Sequence, residues 1–208
     1  MIRTARIVSA AFAVAALLSV TACGQDSAKS SAPATTTAAA GPSVQVRSNI
    51  PATAAQFTVT SPDETSSQTF PADFYANAFG CTAANHAPHL QWSGAPAAAK
   101  SFAVTMFDPD APSGAGFWHW MNWDIPATAT AFTAGAAGVA GANDAGIPGY
   151  VGPCPPSGDG PHHYQISVLA LDTPSLGLPA TTTPTVAAFS MGSHIIGVAH
   201  LTLVAQRP

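Results

Sequence analysis

The fold class this sequence predicts is mainly β: an antiparallel β-sandwich with one peripheral helix near the C-terminus. Three observations predict it. Short runs with a two-residue hydrophobic period recur through the latter part of the chain. Glycine and proline, 17 and 19 of the 208 residues, punctuate the gaps between those runs. Only one stretch carries helix start and stop signals, and alternating βαβ units are absent, which argues against a doubly wound nucleotide-binding sheet.

The elements follow in order. Residues 56–60 (QFTVT) alternate and place Phe57 and Val59 on one face. Residues 101–107 are a second run rich in β-branched and aromatic side chains. Residues 118–125 are apolar on both faces, as a central strand covered on both sides should be. Residues 163–171 form the fourth run. Carried back one residue, its period puts His162, Tyr164, Ile166 and Val168 on one face, so an imidazole and a phenol project together at its start. Residues 198–205 are the last strand. Before them, Pro184 near the first turn and Gly197 at the end bracket a helix over 185–196.

The N-terminus is an address rather than a fold. Arg3 and Arg6 precede an apolar run over 7–20, too short to span a bilayer as a stable helix. The run ends in Val20-Thr21-Ala22-Cys23, an order that resembles a bacterial lipobox, in which the cysteine is diacylated and becomes the new N-terminus. Two acyl chains hold a protein at a membrane surface where one does not. Residues 24–48 are nearly all Ala, Ser, Thr, Pro and Gly and predict a disordered tether. The expected organisation is a signal peptide at 1–22, a lipidated Cys23 with its tether at 23–48, and one domain at 49–208. That places the domain outside the cell membrane on a lipid anchor.

From residue 49 onward the only Lys or Arg are Lys100 and Arg207, against Asp63, Glu64, Asp73, Asp108, Asp110, Asp124, Asp144, Asp159 and Asp172. Binding to a nucleic-acid backbone has no electrostatic support here, and neither does attraction to anionic lipid. Any anion must be held by backbone N–H groups, hydroxyls or histidine. With Cys23 assigned to the anchor, Cys81 and Cys154 remain. In an oxidising compartment they are expected to form a disulfide, the alternative being two separate buried thiols.

Two loops carry the chemistry. In Asp108-Pro-Asp-Ala-Pro112, two prolines fix φ and hold the carboxylates of Asp108 and Asp110. A carboxylate held beside an imidazole raises its pKa and orients the ring. His119 follows between Trp118 and Trp120. In the second loop, Gly149, Gly152, Gly158 and Gly160 permit close backbone approach, and successive N–H groups can form an anion-binding concavity. Taken singly, a capped turn, a satisfied core histidine and a ligand-free surface loop explain these features as well.

Taken together they are more specific. Asp108-Pro-Asp-Ala-Pro112-Ser, Trp118-His119-Trp120 through Asp124-Ile-Pro126, Tyr150-Val-Gly-Pro-Cys-Pro-Pro156 and Gly158-Asp-Gly-Pro-His162-His-Tyr164 resemble the phosphatidylethanolamine-binding proteins, which include the Raf kinase inhibitor proteins. Phe79-Gly-Cys81 with Asn85, and Pro88-His-Leu-Gln-Trp-Ser-Gly94, look like the bacterial branch. The resemblance covers about residues 57–205. It implies a β-sandwich with a small pocket at one end that accepts phosphate, acetate or a phospholipid head group. Its walls would be Asp108, Pro112, His119, Gly152, Cys154, Pro155, His162 and Tyr164. His119 and the Tyr164 hydroxyl would donate to the anion with backbone amides of the Gly152 loop, Asp108 and Asp110 would orient and polarise, and His162 would be wall or donor.

There are departures. Cys154 stands at a position usually small, and residues 83–87 replace a stretch often containing Gly and Ser. The chain also stops soon after its last strand, without the C-terminal helix of eukaryotic members. The leading expectation is a membrane-tethered, non-catalytic binding protein needing no cofactor. The alternative is an extracytoplasmic protein-interaction or inhibitor module. Catalysis ranks third: no serine sits in a nucleophile elbow, Gly192-Ser193-His194 falls late in the predicted helix, and His119, His162 and Asp108 match no established metal-ligand spacing.

Overall fold

The computed structural model describes residues 48–63 and 68–208. The signal peptide, Cys23 and all of the tether but Ser48 lie outside these residues, as does Glu64.

Nine strands build two sheets. β1 (Ala55–Gln56), β2 (Thr58–Thr60), β3 (Leu90–Ser93), β4 (Ser101–Asp108), β5 (Phe117–Pro126), β6 (Ala131–Phe132), β7 (Val139–Ala140), β8 (His162–Leu171) and β9 (Ile195–Ala205) follow in chain order, with helix α1 (Pro184–Gly192) before the last. The large sheet runs β1-β9-β8-β4-β5-β7 and the small one β2-β3-β6. Pairing is antiparallel throughout except at the edge, where β1 lies parallel to β9 over two residues.

The core between the sheets sets Val59, Leu90, Trp92 and Phe132 of the small sheet against Phe102, Val104, Met106, Trp120, Ile166 and Val168 of the large one. The other face of the large sheet is covered by α1, whose Ala187 and Met191 pack with Met121, Trp123, Leu169, Leu171 and Val198. Both faces of β4, β5 and β8 are therefore buried over most of their length, which is why their sequences read as near-continuous apolar runs.

Four differences from the sequence reading have physical causes. The single run at 56–60 is two strands, because the chain changes sheets at Phe57: Gln56 pairs with Val198, and Thr58 pairs with Ser93. The helix ends at Gly192 rather than 196, since Ile195 and Ile196 are β-branched and enter the sheet, Ile195 opposite Leu171. β3 lies inside the Pro88–Gly94 motif and was not predicted as a strand. β5 is broken by two bulges. Pairing steps from Met106–Trp120 to Phe107–Trp118, leaving His119 as the extra residue, and from Val104–Asn122 to Phe102–Ile125 around Asp124. Asp124 has φ 56°, and its carboxylate accepts from Leu176 N (2.8 Å) and Ser175 Oγ (2.6 Å).

Cys81 and Cys154 form a disulfide, with Cα atoms 6.0 Å apart and a sequence separation of 73. It ties the segment before β3 to the loop before β8, beside Ala76 and Val151. Closing a loop of this length restricts the unfolded chain by about 4 kcal/mol. The Cys81→Ser/Cys154→Ser variant is expected to lose about that much in guanidinium unfolding. An unchanged midpoint and slope would show that the bridge contributes nothing.

Candidate ligand-binding cavity

The end of β4 and the starts of β5 and β8 lie side by side at one end of the large sheet. Each contributes polar groups to that end: Asp108 from β4, His119 from β5, His162 and Tyr164 from β8. They line a cavity of about 280 Å³ whose remaining walls include Phe79, Pro112, Phe117, Cys154 and Pro155.

The alternation of β8 works as predicted. His162 and Tyr164 are buried on the cavity side, while His163 and Gln165 point to solvent. His119 arrives by a less regular route. A regular strand would put it on the face opposite Trp120, but the bulge turns both toward the interior, and the His119 ring meets Tyr164 edge-on at 5.0 Å.

Asp108 is the electrostatic centre. Its Oδ2 accepts from His162 Nδ1 at 2.8 Å, with side chains only 2% and 3% exposed. Its Oδ1 accepts the Asp110 N–H at 2.9 Å, closing the proline-flanked turn. Burial pulls the His162 pKa down, but the hydrogen bond and charge of Asp108, helped by Asp159, outweigh it, and the net shift is upward. Burial, then the Asp108 charge, pushes Tyr164 up, so it stays a neutral hydroxyl.

His119 is shifted the other way. Burial depresses its pKa against the pull of the Val151 and Gly152 carbonyls and the Asp108 charge. Its Nδ1 lies 3.0 Å from the Val151 carbonyl, which can only accept, so the proton sits on Nδ1 and Nε2 is left as an acceptor. The resting cavity thus combines a His162–Asp108 pair, a phenol and a neutral imidazole. It stabilises an anion once Nε2 takes up a proton, or accepts a ligand that brings its own. The expectation that His119 donates holds only in the first case.

Two of the expected site residues, Asp110 with its orienting role and Gly152 at the wall, lie off the cavity. The Asp110 carboxylate accepts both the N–H (2.8 Å) and Nδ1 (2.9 Å) of His163, clamping the start of β8, and these bonds hold its pKa low although burial opposes them. Gly152 does not offer its N–H to a ligand: that group donates to Asn85 Oδ1 at 2.7 Å. Glycine is needed there because a Cβ would stand 2.2 Å from the Phe74 carbonyl oxygen. The aromatic walls Phe79 and Phe117 carried no predicted role. Phe117 shares a side with His119, two residues on, a spacing the sequence offered. Phe79 is brought in by the disulfide at Cys81, and its ring lies 6.0 Å from Phe117. Among the described residues, no group of three or more His, Cys, Asp or Glu side chains is arranged to hold a metal ion.

The His162 shift is directly measurable. By proton NMR its titration midpoint is expected above the usual value of about 6.5, returning toward it in Asp108→Asn. The stability it contributes is full below about pH 6.5 and lost as pH rises through the raised midpoint. An identical midpoint in the variant would remove Asp108 as the cause.

With this geometry in view, the likeness to known proteins is specific. Residues 60–206 match the phosphatidylethanolamine-binding protein family. The Escherichia coli protein YbcL is 39% identical over 163 residues, 74% of this chain and 89% of its own length. Its crystal structure, described as a new member of the mammalian PEBP family, superposes with a TM-score of 0.70 over 74% of this chain and all of that one. A PEBP homologue from Chlamydia trachomatis, 28% identical, gives 0.63 over 75% and 99% of the two chains. The Mycobacterium tuberculosis protein named as lipoprotein LppC is 39% identical over 127 residues, 59% of this chain and 61% of its own length. Ordered loops, sandwich and family match agree: this chain belongs to the phosphatidylethanolamine-binding protein family.

Proposed function

We propose that this protein is a non-catalytic binding protein that takes a small anion, whether phosphate, a carboxylate or a phospholipid head group, between His119, His162 and Tyr164. A diacylated Cys23 tethers it to the extracytoplasmic side of the cell membrane. The observation that carries the binding reading is the neutralised floor of the cavity. Because His162 already answers the Asp108 charge at 2.8 Å, an incoming anion meets hydroxyl and imidazole groups rather than an unpaired carboxylate. Neither Lys100 nor Arg207 lines the cavity. The likeness to a protein named as a lipoprotein supports the anchor.

Acetate is the clean probe, because it stays singly charged across the range in which histidine titrates. Calorimetry is expected to show affinity rising as pH falls from about 7.5 to 5.5, by at most tenfold per unit, as binding draws a proton onto His119. The sign follows from the depressed pKa: His119 is neutral in the free protein at neutral pH, so the proton is taken up with the ligand. In His119→Ala the slope should flatten. A pH-independent affinity in the wild type, or an unchanged slope in the variant, would refute the His119 role. Phosphoethanolamine and a lysophospholipid, compared with inorganic phosphate, tell a head-group site from a phosphate site. For the anchor, Cys23→Ser should move the protein from the membrane to the soluble fraction.

A further inference from the structure

At the end of the large sheet away from the cavity, the surface changes character. Residues 173–193 contain no charged side chain in a domain otherwise dominated by carboxylates. Within them α1 turns Ala187 and Met191 inward and leaves two large apolar side chains out, Phe189 at 81% and Val186 at 52% exposure. They sit three residues apart and so share one face of the helix.

A second, independent observation concerns where the chain enters the domain. Asn49 Nδ2 donates to the Ala188 carbonyl of α1, and Ile50 packs against the cluster that α1 covers. A Cβ on Gly192 would meet Asn49 at 3.1 Å. The segment leading back to Cys23 therefore leaves the domain directly beside Phe189 and Val186.

We infer that the Val186–Phe189 face of α1 is a bilayer contact, which turns this end of the domain toward the membrane that anchors it. The inference rests on the Cys23 anchor proposed above. Two apolar side chains bind a bilayer weakly when free in solution. Cys23 lies 26 positions before Asn49, so an anchor there makes the same contact intramolecular, and it needs little intrinsic affinity. A consequence follows for ligand supply. α1 covers the Leu171 end of the sheet while the cavity opens at the His162 end, about 30 Å away along β8. The mouth is then set to one side of the membrane contact rather than against it, and its ligand arrives from solution.

The test uses the full chain, purified from membranes and placed in nanodiscs of phosphatidylcholine and phosphatidylglycerol doped with head-group spin label. Methyl relaxation should be enhanced several-fold more at Val186 than at Ala111, which lines the cavity. Phe189→Ser should erase the difference while leaving the unfolding midpoint unchanged. Equal enhancement at the two methyls, or more at Ala111, overturns the inference and leaves the anchor standing. A wild-type chain released from native membranes by carbonate refutes anchor and inference together. A dimer of the Cys23→Ser chain that Phe189→Ser dissolves would also overturn it, by giving this face to a second copy.

Discussion

The Asp108–His162 hydrogen bond is the interaction on which the rest of the cavity depends. A carboxylate this deeply buried would be costly alone, and one without its proton would repel the ligands the cavity is shaped for. Its two oxygens are occupied in different ways. Oδ2 takes His162, and Oδ1 takes the Asp110 N–H within the turn that the two prolines stiffen. That turn also aims the Asp110 carboxylate at His163, so one five-residue loop fixes two successive histidines at the start of β8. The loop acts as a clamp on β8 as much as a wall of the cavity. The disulfide plays a matching part on the other side, where it holds Phe79 and Cys154 against the rim.

Much of this was legible in the residues, and the failures are instructive. The two-residue period of β8 is enough to bring His162 and Tyr164 to one face, because nothing interrupts the ladder there. The same rule fails for His119. Its orientation depends on a bulge set by the partner strand, and no local pattern in 117–126 announces it. Gly152 illustrates another limit. A glycine in a loop looks like a place where a backbone N–H is offered to a ligand. Here the N–H is satisfied by Asn85, 67 residues away in sequence, and the glycine exists to let the loop touch Phe74–Ala76. Long-range partners of this kind decide what a backbone group is free to do, and composition does not encode them. The helix overran for a related reason: Gly192-Ser193-His194 gives only a weak stop, and the sheet recruits Ile195 through tertiary pairing.

The two histidines of the cavity are driven apart by their surroundings although their rings share a wall. His162 has a carboxylate within hydrogen-bonding distance and is raised, whereas His119 has a carbonyl and an apolar setting and is lowered. In the proposed anion-binding role, the site would take up one proton with its ligand between the two titrations, and the positive character would be latent in His119.

The same logic extends beyond the cavity. All six ion pairs among the described residues join an aspartate to a histidine. Five of the six aspartates involved are at least a quarter exposed, and such surface pairs contribute little individually. Their common feature is that the partner is histidine and never Lys or Arg. The chain has a formal net charge of −4 with its seven histidines neutral, so protonating them would reverse its sign. At the mouth it is His162, its pKa raised by Asp108, that pairs with both Asp108 and Asp159. Under the proposed function, the scarcity of Lys and Arg would belong to how the site works, since His119 and His162 are the cationic side chains among those lining the cavity.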